Sequence, residues 1–251
     1  MPLPKIDLPI YDLKIVSLPD PIKFRPFLVK EEKLLLMALQ DGKEEEVLKT
    51  IKQVINNCLI SELDVDSLPI FDIEYLFLNL RARSVGEKVE TYFTCRAVVG
   101  KKTNEDGTEE DELCMHLMPV EVNLLDIQPP KRELESRIYL TQNIGIQLKY
   151  PTFKNYRSIE SLTLDNNAEE LFKLILDCTD YIFDENGVYY VKEQSFEELV
   201  KFLEGLTQEQ FDKITNFFES LPTIELNTKS TCSKCNFTHE IHMEGLTDFF
   251  T

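Results

Sequence analysis

Two cysteines and two histidines fall close together near the C-terminus, in the run Cys232-Ser-Lys-Cys235-Asn-Phe-Thr-His239-Glu-Ile-His242. Two thiolates separated by two residues can take adjacent corners of a tetrahedron while turn amides soften their charge, the arrangement of a zinc knuckle. A structural site needs two more ligands, and the chain offers His239 with His242, Cys95 with Cys114, or His116. A strand period of two sends His239 and His242 to opposite faces, so they cannot easily share a metal. Cys95 and Cys114 complete the set with Cys232 and Cys235 more attractively if the segments carrying them pair. By itself the half-complete motif reads as a reduced remnant of a knuckle. The cofactor expectation is therefore none, or one structural zinc.

Catalytic chemistry finds no foothold. No glutamate sits in an HExxH frame, and no corner of the cysteine set is obviously open for substrate. Three histidines, no GxSxG and eight glycines without a phosphate loop leave no nucleophile and base to name. Arg81, Arg83 and Lys88 around Gly86 read as a basic helix end complementing its own dipole, in preference to an anion site. Cys58 and Cys178 lie in apolar helical patterns and read as core. The acid run Glu105–Glu112 lacks the ligand order of a calcium loop and reads as a solvated tip.

The elements that must position the cysteines alternate between helix and strand patterns. Residues 1–28 hold six of the twelve prolines and read as an extended arm, neither helix nor core, lying along its own domain or a partner. Residues 29–87 carry helical periodicity, with Val47, Ile51, Val54 and Ile55 on one stripe and Asp72 placed to cap a third helix ending at Gly86. Residues 88–127 alternate as a β-hairpin with an acidic loop. Pro129 and Pro130 mark a junction, and 128–222 read as a second helical part, with one extended segment around Ile144–Leu148, a helix running through NNAEELFKLILDCTDYIF and a short strand-like VYYVKE. Ser195 with Glu198 and Thr207 with Gln210 form two capping boxes. Residues 223–251 form a Cys-containing hairpin whose shape echoes the first. The fold class expected is α+β: a mainly helical body with one small antiparallel sheet made by the hairpins at about 88–127 and 223–244, zinc-ribbon-like or degenerate.

Forty-five acidic against 27 basic residues give a formal charge of −18, which repels nucleic acid and anionic lipid. No apolar run reaches the roughly 18–20 residues of a membrane span, and MPLPKIDLPIYDLK lacks the order of a signal peptide, so a cytoplasmic setting with reduced thiols is expected.

FRPFLVKEEKLLLMA (24–38), EYLFLNLRARSVGE (74–87), IGIQLKYPT (144–152) and GLTDFF (245–250) together resemble the baseplate hub protein family of T-even-like contractile-tailed bacteriophages. The resemblance implies a non-enzymatic hub component or hub-assembly chaperone that binds hub or tape-measure-like tail proteins. It would act in the host cytoplasm during assembly or within the virion tail baseplate. Neither nucleic acid, membrane nor small-molecule substrate is expected. Val98 stands where the family leads one to expect a second cysteine after Cys95, which departs from a four-cysteine ribbon. Phe24, Pro26 and Phe27, with Leu28 and Val29, are read as docking a partner segment or anchoring the arm. Leu76, Phe77, Leu80, Phe211, Ile214, Phe217 and Phe218 line either partner grooves or, as their helical spacing favours, the core.

Overall fold

The computed structural model describes residues 6–41, 44–103, 108–130, 135–155 and 168–245. The predicted helix stop at Gly42, part of the acidic tip, residues 131–134 after the Pro129-Pro130 junction, the Asn166-Asn167 start of the predicted helix and residues 246–250 of GLTDFF lie outside them. The chain divides into two units, Met1–Glu62 with Glu74–Pro130 and Thr223–Thr251, and Leu63–Ile73 with Lys131–Pro222.

In the first unit the proline-rich arm corrects its reading as neither helix nor core. β1 (Tyr11–Leu13) and β2 (Ile22–Phe24) pair antiparallel, Tyr11 opposite Phe24. Ile15, Ile22, Phe24 and Phe27 are buried. The prolines stand outside the paired residues, so each short strand keeps its donors, and Ile22 and Phe24 alternate with exposed Lys23 to give one face to bury. Anchoring is thus the role that Phe24 and Phe27 play. α1 (Val29–Asp41) starts without a capping side chain at Leu28. Glu31 compensates by reaching back to the Leu28 N–H at 2.8 Å, half of a capping box. α2 (Glu44–Cys58) buries Ile51, Val54 and Ile55 on its predicted stripe. α3 (Ile70–Ser84) buries Leu76, Phe77 and Leu80, and the chain leaves it through Gly86 at φ 149°.

The strands overturn the expected architecture. Among the described residues there are twelve strands in five sheets, not a mainly helical body with one small sheet. The hairpins at 88–127 and 223–244 do not share a ladder. β3 (Lys88–Thr94) pairs with β6 (Leu117–Asn123), and β11 (Glu225–Thr231) with β12 (Thr238–Glu244), each as a separate two-stranded sheet. The first hairpin is itself interrupted: β4 (Val98–Thr103) and β5 (Glu109–Leu113) form a further ribbon beyond Cys95 and Cys114. Met115, at φ 52°, breaks the extended geometry there, so the ladder cannot run through.

The second unit contains the sheet that the sequence reading missed. Its order is β10 (Val188–Tyr190), β9 (Thr179–Phe183), β8 (Gly145–Leu148), β7 (Arg137–Tyr139), all antiparallel. The helix read through Phe183 stops earlier. α4 (Ala168–Asp177) ends before Thr179, and Thr-Asp-Tyr-Ile-Phe is β-branched and aromatic enough to become a strand. α5 (Phe196–Glu204) and α6 (Gln208–Glu219) follow, each opened by the predicted capping box with both reciprocal hydrogen bonds made. Ile146, Ile182, Leu199, Leu203, Ile214 and Phe217 belong to one buried cluster, with Phe211 and Phe218 packed against it. The residues weighed as partner grooves on α3 and α6 are therefore core or pack against it.

Gly145 shows how close that sheet is packed. A Cβ there would collide with the Phe183 ring and stand 2.6 Å from the Ile138 carbonyl oxygen, and a backbone oxygen cannot swing aside. Gly145→Ala is expected to destabilise the protein by about 1–3 kcal/mol through overpacking, read as a lower urea midpoint at unchanged slope.

Candidate metal centre

The interruption in the first hairpin is what presents its two cysteines. Across it the backbone stays paired, Cys95 N–H donating to His116 O at 2.8 Å and Cys114 N–H to Ala97 O at 2.9 Å. The two cysteines therefore stand close together across the ladder, on either side of the break. In the second hairpin the cysteines sit in the turn between β11 and β12. Asn236 N–H donates to Cys232 O at 2.9 Å and Cys232 N–H to Phe237 O at 2.8 Å, while Asn236 takes φ 60°. Asparagine tolerates that left-handed geometry better than most residues, which explains its place directly after Cys235.

These two turns bring together four thiols from positions more than a hundred residues apart in sequence. The sulfurs of Cys95, Cys114, Cys232 and Cys235 all lie within 4.8 Å of one another. Cys95 Sγ is 3.6 Å from Cys235 Sγ, and Cys114 Sγ is 3.9 Å from Cys232 Sγ. Tetrahedral zinc with Zn–S of about 2.3 Å places its sulfurs about 3.8 Å apart, whereas a disulfide requires about 2.05 Å. All four are free thiols, three of them buried and Cys235 half-buried. The donor set, its spacing and its burial fit a structural tetrathiolate metal.

The electrostatics point the same way. Burial pushes Cys95 up to about 12, the neighbouring sulfurs of Cys235, Cys232 and Cys114 adding to it, and burial likewise raises Cys114. At Cys232 burial also acts upward, but the backbone N–H groups of Cys235 and Lys234, with the thiols of Cys235 and Cys95, outweigh it and bring the group down to about 7. Cys232 is thus the thiol closest to ionising at neutral pH, and a cation held by Cys95, Cys114, Cys232 and Cys235 would favour the thiolate form of all four. Four thiolates on a divalent ion would leave a net charge of −2. In a chain of −18, basic groups gather here: Lys234 donates to the Cys114 carbonyl at 3.4 Å, and His239 Nε2 lies 3.1 Å from Cys95 Sγ.

The histidines separate as strand alternation requires. His239 faces inward to Cys95, whereas His242 is exposed and bonds Asn227 Oδ1 through Nδ1 at 2.9 Å. His116 Nε2 lies 3.0 Å from Ser233 Oγ and bridges the two turns without facing the sulfurs. The contact of His239 with Cys95 had no separate signal in the sequence, since it depends on the second hairpin lying against the first. Elsewhere the other reactive-looking groups are engaged structurally. Burial pushes Cys58 up to about 11 and Cys178 up to about 12, so both stay protonated. Arg81 donates to Gly86 O, Arg83 lies 3.5 Å from Glu87 and 5.0 Å from the Tyr11 ring centroid, and Lys88 pairs with Glu121 at 2.6 Å. The anion site considered for these three cations does not form.

A metal held at all four corners by these thiols would brace the fold and leave no coordination position for a substrate. No described helix is long and apolar enough to cross a membrane. No curated protein and no solved structure shows significant similarity to the chain. A family model described as T4 bacteriophage base plate protein matches residues 8–251, which takes in the arm from residue 8 on, both cysteine turns and the second unit alike. On a match of that extent, the chain belongs to the T4 bacteriophage base plate protein family.

Proposed function

We propose that this base plate protein is a non-enzymatic component of the baseplate hub, or a factor that chaperones hub assembly. It works by contact with other tail proteins, in the host cytoplasm or the virion tail. One structural zinc on Cys95, Cys114, Cys232 and Cys235 clamps its two cysteine hairpins. The observation that carries the non-enzymatic reading is the closed four-thiol set: the clustered metal-ligating side chains found among the described residues offer no open position. A zinc-dependent enzyme would need such an opening and a base beside it.

The contact surface we assign is on α1. Val29, Leu36, Met37 and Leu39 are 80, 56, 54 and 61% exposed, although long aliphatic side chains on a helix ordinarily turn toward a core. Leu36 and Leu39 stand three apart, on one side of the helix. Because the residues weighed as partner grooves are core, we assign this exposed apolar face of α1 to contact with another protein. Tagged protein recovered from infected cells is expected to bring down other tail or hub proteins. Leu36→Asp with Leu39→Asp should abolish that recovery while leaving the thermal midpoint within about 2 °C, because surface changes seldom exceed ±0.5 kcal/mol. Recovery undiminished by the double change, or no tail protein recovered from the wild type, would count against this reading.

A further inference from the structure

We infer that His239 is a reserve ligand of the metal centre, so that the site is built from five donor groups and not four. The inference rests on the zinc reading given above and extends it to a residue outside the tetrathiolate set. His239 Nε2 stands 3.1 Å from Cys95 Sγ, and the imidazole is braced edge-on by Phe237 with ring centroids 4.7 Å apart. Cys95 is distinctive in this respect among the four thiols. The other two imidazoles are turned away, His116 to Ser233 and His242 to Asn227.

While Cys95 holds its corner of the tetrahedron, a protonated Nε2 donates to the thiolate. It thereby offsets part of the charge that four sulfurs place on a divalent ion. If the Cys95 sulfur is removed, Nε2 is already about 3 Å from the vacated ligand position. Zinc takes imidazole nitrogen at about 2.0–2.1 Å and sulfur at about 2.3 Å, so a small movement of the ring completes a three-cysteine, one-histidine set. The imidazole would coordinate through Nε2 as the neutral tautomer that carries its proton on Nδ1, Nε2 giving one proton to solvent and Nδ1 taking one up, and the net charge of the centre would change from −2 to −1. His239 follows Cys235 by four positions on the same turn and strand, so its backbone is held by the ladder, with His239 opposite Ser230. Cys114 has no imidazole within hydrogen-bonding distance among the described residues, and its loss leaves a corner empty. The two cysteines of the first hairpin are therefore unequal, although both come from that hairpin and both are buried.

The test uses the full chain purified under reducing conditions as wild type, Cys95→Ala, Cys114→Ala and Cys95→Ala/His239→Ala. Zinc per chain is counted, and cobalt(II) is titrated as a spectroscopic probe of the ligand set. Cys95→Ala should keep one metal with affinity reduced about 10–100-fold, a weaker thiolate-to-cobalt charge-transfer band and a d–d envelope moved to higher energy. Cys114→Ala should bind at least about tenfold more weakly than Cys95→Ala, and the double variant should fall to the level of Cys114→Ala. His239→Gln in the wild-type background, which removes no metal ligand, should keep the four-sulfur spectrum and weaken binding by about tenfold. Equal loss in the two single cysteine variants, or a double variant that binds as well as Cys95→Ala, would overturn the inference. A wild-type chain that binds neither metal fails the zinc reading first, and that result is distinct from wild-type binding without the asymmetry.

Discussion

Stripping the metal with a strong chelator under reducing conditions is expected to release the two cysteine hairpins from one another and to melt their junction. The apparent free energy of structural zinc in small peptides is about 10–16 kcal/mol at neutral pH, comparable with the whole stability of a domain at about 5–15 kcal/mol. Apart from the metal, the ribbons are held by the buried side chains of Met118, Val120 and Val122 in β6 and of Ile241 and Met243 in β12. β3–β6 and β11–β12 are two-stranded sheets, β4–β5 buries none of its residues, and an isolated two-stranded hairpin is marginal in water. Hydrogen exchange should therefore show amide protection lost across β3, β6, β11 and β12 after chelation. It should persist in β8 and β9, whose sheet rests on the buried cluster of Ile146, Ile182 and Leu203. Cys232→Ser should reproduce the effect without chelator. Protection unchanged in both experiments would mean that the hairpins stand without a metal.

Arg25→Ala is the second large effect, expected at about 1.5–3 kcal/mol from removing the charge-assisted hydrogen bonds that the part-buried guanidinium makes to Glu31 and the Asn57 carbonyl. Arg25 is the pin that fixes the arm. Its Nη2 reaches Glu31 Oε1 at 3.2 Å and the Asn57 carbonyl at 2.9 Å, and its Nη1 reaches the Pro26 carbonyl at 2.8 Å. Its guanidinium thus sits at the C-terminus of α2, where a cation complements the helix dipole and satisfies a terminal carbonyl. Glu31 is fully buried, and removal of the guanidinium would leave its charge with Lys30 and the Leu28 N–H as compensation. Burial pushes the Glu31 carboxyl upward, but hydrogen bonds from the Leu28 N–H, Arg25 and Lys30 outweigh it and hold the group below its ordinary value. The sign follows. Glu31 contributes stability above its unfolded-state value, and that contribution is lost as the pH falls through its lowered folded value. Denaturant midpoints followed downward from neutral pH should show this acid-side loss in the wild type and a shallower one in Arg25→Ala. A variant as stable as the wild type at neutral pH would contradict the role assigned to the pin.

The cysteine turn was legible because its chemistry is local: two thiols two residues apart, followed by an asparagine. Its partners were legible only through the echo between two hairpins, since nothing in the neighbourhood of Cys95 or Cys114 resembles a complete knuckle. The expected common sheet failed for a physical reason. The hairpins meet through sulfur at a break in one ladder, and no hydrogen-bonded strand edges join them. The four-stranded sheet was hidden differently. β7 and β10 are three residues each, too short to show alternation, and β9 begins two residues after α4 ends, so its apolar residues extend the helical pattern of Leu171 to Leu176. The arm was misjudged because its prolines count against long strands but leave three-residue pairings intact. Arg25 and Glu31 lie within a motif that carried the family resemblance, yet their pairing spans two elements and leaves no periodic trace.

Elemental analysis of the full chain, purified under reducing conditions without added metal, tests the centre most directly. One zinc per chain is expected in the wild type and less than about a tenth of that in Cys114→Ala. A wild-type chain free of metal, with hairpin protection no different after zinc is supplied, would contradict it.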